Sequence, residues 1–197
     1  MKERQILFSA PMVMAIISGT KTQTRRVAKL NPAGHVQLHH RYWHPADEAA
    51  ALACPYGQPG DRMWVRETWG AIKNYDSFAP NKIPKGSSIG FKTDDISRWC
   101  QTGCGGAAGR WRPSIHMPRW ASRITLEIVN VRVERVQEIG YEEIGKEGIP
   151  LEPGPLSHAA PIAVDRFENL WNSINAKRGF GWDKNPWVWV IEFKRIP

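Results

Sequence analysis

The chain has 197 residues, of which 42% are apolar and 23% charged, with a formal net charge of +8. That length and composition exclude a disordered or fibrous chain and allow a single domain with a real core. No run approaches the ~20 apolar residues that span a bilayer, so no membrane partner is expected; the positive balance points to an anionic partner such as nucleic acid.

Residues 4–9 read as a short strand around Ile6, Leu7 and Phe8. Pro11 suits the first turn of a helix through residues 12–17, and Gly19 suits its left-handed C-terminal residue. The next seven positions, 20–26, hold three cations (Lys21, Arg25, Arg26) and three threonines. They are expected to leave the helix as an exposed loop or short extended piece. Such a piece aims a lysine, hydroxyls and guanidinium groups at one anionic or polar ligand, although a solvated basic turn has the same composition. Residues 29–60 sustain no period and read as a loop with a small alanine-rich patch. Turn residues at 54–61 feed a strand over 62–68, in which Met63 and Val65 alternate with Arg62, Trp64 and Arg66, with Glu67 near its end. Residues 71–118 are rich in glycine, proline, serine and charge, with short strand candidates such as 88–92.

A long strand follows Arg123. Ile124, Leu126 and Ile128 share one phase; Val129, Val131 and Val133 share the other. A one-residue slip flips the faces, so a bulge or sharp coil is predicted between Ile128 and Val129. Residues 141–148 read as a short helix ended by Gly148, and 150–161 as a loop. Ala163, Phe167, Leu170, Trp171 and Ile174 repeat at helical spacing, giving the clearest amphipathic helix in the chain. In 187–195, Trp187, Trp189, Ile191 and Phe193 share one face and Val188 and Val190 the other, as in a central strand that then emerges. Strands at intervals with few helices give a mainly β fold of the α+β class, a barrel with peripheral helices.

Gly19, Lys21, Thr22, Thr24 and Arg26 resemble the Gly-x-Lys-Thr-x-Thr-x-Arg signature of the ASCH domain family. Further stretches agree in order: 60–67, the long strand from Arg123, Glu147-Gly148 and the final strand. The chain resembles the longer, phage-type members. The resemblance implies one PUA-like antiparallel β-barrel domain over 1–197, with loop-rich insertions at about 31–56 and 71–118. It also implies RNA or a modified nucleoside as partner. Some small ASCH proteins hydrolyse the amide of N4-acetylcytidine, using this lysine as base, this threonine as nucleophile and a glutamate as proton donor.

The chemistry is consistent with that role. A lysine in a desolvated cleft loses its proton near neutrality and becomes a base. A neighbouring hydroxyl then serves as nucleophile and a carboxylic acid opposite donates a proton to the leaving amine. Lys21 and Thr24 match the motif directly. Glu147 matches by its place in the short helix, and Glu67 is the rival acid. For a binding role the candidates are Thr22, Arg25, Arg26 and Arg123, with Trp69 or Trp120 stacking a base. Residues 110–135 hold six arginines and two glutamates, a second hint of nucleic acid. Three function classes stay open: a nucleic-acid or nucleoside binder, an amidohydrolase or ribonuclease, and a non-catalytic phage-type accessory factor. Cys100 and Cys104, with His116 or Cys54, have loose zinc spacing but lack a clear fourth ligand. Free thiols, no metal, no cofactor and a cytoplasmic location are expected.

Overall fold

The computed structural model describes residues 1–94 and 107–196. Its frame is a five-stranded sheet in the order β1, β5, β9, β10, β2. The strands are β1 (Glu3–Leu7), β2 (Gln23–Val27), β5 (Arg62–Arg66), β9 (Thr125–Arg135) and β10 (Trp187–Ile196). All neighbours are antiparallel except β1 and β5, which run parallel. The fold is thus mainly β and of the α+β class. Among the described residues β1 and β2 do not pair, so the sheet stays open rather than closing into a barrel.

β10 runs between two cores, as its double-faced pattern requires. Trp189, Ile191 and Phe193 join a large cluster with Ile6, Phe8, Val13, Met63, Leu126 and Ile128. Val188 and Val190 face the other way, into a second cluster with Ile144, Ala163, Phe167 and Trp171. The register between β9 and β10 shifts where Asn130 pairs with Glu192 but Ile128 pairs with Phe193. Val129 is therefore the extra residue, exposed on the bulge, so both apolar runs on either side of it reach the same core.

Helix α1 (Ala10–Ile17) follows Ser9 and ends at Gly19, whose φ is +79°. α2 (Tyr141–Lys146) and α3 (Leu156–Asn175) cover the second core. No helix among the described residues is long and apolar enough to cross a membrane.

Three further expectations change. The basic stretch takes the extended form but is not exposed: 23–27 form strand β2, and Lys21, Gln23, Thr24 and Arg25 are buried. The 150–161 loop ends early, because α3 begins at Leu156 and carries Pro161 inside it. Burial of Ala159 and Ala163 on the core face outweighs the one ladder bond that proline forgoes. The described parts of 31–56 and 71–118, expected to be loop-rich, are also more ordered than their composition implies. β3 (Val36–Leu38) and β4 (Arg41–Trp43) make a hairpin. β6 (Trp69–Ile72), β7 (Ile89–Phe91) and β8 (Ala108–Arg112) make a second sheet over Trp69, Ile83, Phe91 and Met117.

Candidate functional site

The site starts from two glycines. Left-handed Gly19 lets the chain leave α1 and fold back, so that the Lys21 N–H donates to Ala15 O at 2.9 Å. Thr22 N–H then donates to Lys146 O at 2.9 Å, and Lys21 forms an isolated antiparallel bridge with Glu147 at the end of α2. Gly148 has φ +85°, and a Cβ there would lie 2.9 Å from Ala15 Cβ and 3.0 Å from Lys21 Cβ. Only glycine fits where α1, Lys21 and α2 meet.

This junction buries an ion pair. Lys21, its side chain fully enclosed, donates from Nζ to Glu147 Oε2 at 2.8 Å and to the Glu147 carbonyl at 2.7 Å. Burial pushes the Lys21 ammonium below its ordinary pKa; Glu147 opposes that, and Arg26 and Arg25 add to it. Glu147 Oε1 accepts from Arg25 Nη1 at 3.2 Å. Arg25 also donates to Glu134 and, at 2.8 Å, to Glu143. Arg132 grips Glu134 at 2.9 Å, Glu192 at 2.5 Å, and Glu143. Burial would raise the Glu143 carboxyl, yet the Gly140 N–H, Arg25 and Arg132 hold it below the usual range. Lys21, Arg25 and Arg132 thus stand against four carboxylates, and the charge of Lys21 and Arg25 is spent inside the protein.

Beside this network lies a cleft of about 810 Å³, within the usual range for small-molecule sites. Thr24, Arg25, Arg26 and Val27 of β2 line it, together with Glu147. Phe8, Met12 and Tyr56 come from one side of the sheet, and Phe167, Trp171, Asn175 and Arg178 from the other. The cleft therefore wraps the free edge of β2. The bonds Phe193 N–H to Thr22 C=O and Ala28 N–H to Trp187 C=O, both 2.9 Å, fix the strand's phase. Thr24 and Arg26 turn their main-chain groups to β10, so those of Gln23, Arg25 and Val27 point off the sheet edge.

Arg26 donates from Nη2 to Leu7 O at 2.6 Å and lies over the Phe8 ring. Burial pushes its guanidinium below the ordinary value, though arginine stays charged. Among the described residues no carboxylate forms an ion pair with Arg26, Lys29 or Arg178, and the Thr24 hydroxyl makes no hydrogen bond.

One solved structure is similar to this chain. It is the ASCH domain from Lactobacillus crispatus JV V101, at 8% identity and a TM-score of 0.45, covering 98% of this chain and 79% of that one. No family model matches the sequence, and no curated protein matches it.

Lys21, Thr24, Arg25, Arg26 and Glu147 come together here, whereas Thr22 is exposed at the start of the strand. Glu67 does not join them: it is buried under the second sheet, bound by Arg123 at 2.9 and 3.0 Å and by Thr93 at 2.9 Å. Arg123 is taken by that carboxylate and by Asp94 and does not line the cleft. Trp69 is fully enclosed in its own core with half-buried Trp120 edge-on against it, so neither wall of the cleft uses them. Most of the arginine cluster is likewise engaged: Arg119 with Glu3, Arg112 with the carbonyls of Tyr75 and Phe78, and Arg135 over Trp187. Cys54 sits in the main core, its thiol pushed up to about 11 by burial. His116 is exposed, and Cys100 and Cys104 lie outside the described residues.

Sequence reasoning missed Arg178, Tyr56 and the Arg132 network. Tyr56 lay inside a run of turn residues, and Arg178 just beyond the amphipathic helix, where only the fold brings them to β2.

Proposed function

We propose that the cleft along β2 binds a nucleobase-bearing ligand, in the first instance single-stranded RNA. The observation that carries this reading is three cations without carboxylate partners, Arg26, Lys29 and Arg178, set among the rings of Phe8, Tyr56, Phe167 and Trp171. Cations favour phosphate, and aromatic faces favour a base of any sequence. The off-sheet N–H and C=O of Arg25 add a donor and an acceptor of the kind a base edge needs. Half-buried Tyr56 is the stacking surface the ligand meets first. A salt titration of oligonucleotide binding tests the reading: affinity falls with a log–log slope of about −0.7 per phosphate contacted. Arg26→Ala makes that slope shallower, and salt-independent or absent binding refutes the proposal.

A second reading, hydrolysis of an amide such as that of N4-acetylcytidine, is favoured by the buried, pKa-lowered Lys21 against Glu147 with Thr24 unbonded on the cleft wall. Thr24 Oγ1 would attack the carbonyl while its proton passes to Lys21. Glu147 would protonate the departing amine, and water would release the acyl group from Thr24. Lys21→Arg separates the readings. A guanidinium cannot act as base, so the variant loses cytidine release from N4-acetylcytidine if the lysine is catalytic. Turnover equal to the parent protein's removes this reading and leaves the binding one.

A further inference from the structure

Two parts of the cleft differ in charge state. At the Glu147 end every cation is matched: Lys21 and Arg25 both grip the carboxylate. At the Arg178 end none is. Arg178 leaves α3 in the turn over Ala176–Arg178, is exposed, and among the described residues its Nη1 reaches only the Asn175 side chain, at 3.3 Å. That leaves most of the guanidinium's donors free. Asn175 is itself buried and anchored to Trp171 O at 3.2 Å, so it holds one guanidinium nitrogen of Arg178 without neutralising its charge. Arg178, Arg26 and Lys29, the last exposed just past β2, line the same opening. Like charges gathered without a counter-ion repel one another, and a dianion between them relieves that cost.

Resting on the binding reading above, we propose that Arg178, Lys29 and Arg26 form a phosphate subsite, so that the ligand is a phosphorylated nucleoside, free or within a strand, rather than a bare nucleoside. Its phosphate lies at the Arg178 end and its base runs along the β2 edge toward Thr24. A guanidinium whose fork is free suits the bidentate hold on phosphate oxygens, and Lys29 adds a mobile point charge.

The test is titration calorimetry of the full chain with four probes: cytidine, cytidine 5′-monophosphate, cytidine 3′-monophosphate and an oligocytidine strand. Expected is at least a tenfold tighter binding of one or both monophosphates over cytidine at low salt. Arg178→Gln cuts that preference about tenfold, and Lys29→Gln cuts it less. Arg178 and Lys29 are exposed, so both variants keep the parent's melting temperature. A strand that binds tighter than both monophosphates identifies the polymer as the source of the phosphate; a monophosphate matching the strand identifies the free nucleotide. Cytidine binding as tightly as its phosphates, or a preference that survives Arg178→Gln combined with Lys29→Gln, overturns the subsite and leaves the binding reading standing. Absence of binding by all four probes overturns both.

Discussion

Among the described residues Glu147 holds two cations but Lys21 has one carboxylate, and this asymmetry has a measurable outcome. Glu147→Gln leaves Lys21 enclosed with little beyond the backbone carbonyl at 2.7 Å. Breaking a buried pair this way costs about 3 kcal/mol or more. Lys21→Met removes the ammonium yet leaves Glu147 bound to Arg25 at 3.2 Å, so urea unfolding at pH 7 gives it the smaller loss. A larger loss for Lys21→Met means that Arg25 does not hold the carboxylate. The sign with pH follows from the lowered Lys21 pKa. Between that value and the ordinary 10.5 the unfolded chain binds the extra proton, so the lysine's contribution to stability rises with pH there. The stability difference, parent minus Lys21→Met, increases across that window. The glycines differ too. A Cβ at Gly19 meets nothing within 4 Å, while one at Gly148 meets Ala15 and Lys21. Gly19→Ala bears only left-handed strain, about 1–2 kcal/mol. Gly148→Ala adds a clash to that strain, so it has the lower melting temperature of the two.

α2 has six residues, too few to persist alone. It stays because Ile144 is buried in the second core and because Glu143 ties it to Arg25 on β2 and Arg132 on β9. With its folded pKa below 4.5, Glu143 contributes stability above that value and loses it as pH falls through the folded one. Glu143→Gln therefore destabilises at pH 7, and the gap to the parent protein narrows below pH 4.5 in thermal melts; a gap that widens with acid contradicts the assignment. Elements whose period is set by one residue's neighbours were legible in the sequence. The slip at Ile128 and Val129 foretold the bulge, and the paired faces of 187–195 foretold a strand between two cores. Elements set by distant partners were not. Lys21 to Arg25 read as an exposed piece because nothing local says that Glu147, 126 residues on, will neutralise and bury it. Proline at 161 hid the start of α3 for the same reason: the helix is held by the core it covers.

At the scale of the whole molecule, a net charge of +8 divides into two populations that composition cannot separate. Lys21, Arg25 and Glu147 meet because the fold brings the start of β2 to the end of α2. The arginines of 110–135 do not line the cleft, and the carboxylates that engage Arg119 and Arg123, Glu3, Glu67 and Asp94, come from elsewhere in the chain. The division predicts a double dissociation. Arg123 holds Glu67, whose side chain is 2% exposed, so Arg123→Gln strands a buried carboxylate and costs about 3 kcal/mol. It touches no wall of the cleft and leaves the salt slope of oligonucleotide binding as it was. Arg178→Gln does the reverse. No carboxylate loses a partner and the melting temperature holds, but the slope becomes shallower by about 0.7, one phosphate's share. Melting curves and salt titrations on the two variants measure both arms. If Arg123→Gln moves the slope as much as Arg178→Gln does, the protein binds through its overall charge and the β2 cleft is not where the ligand sits.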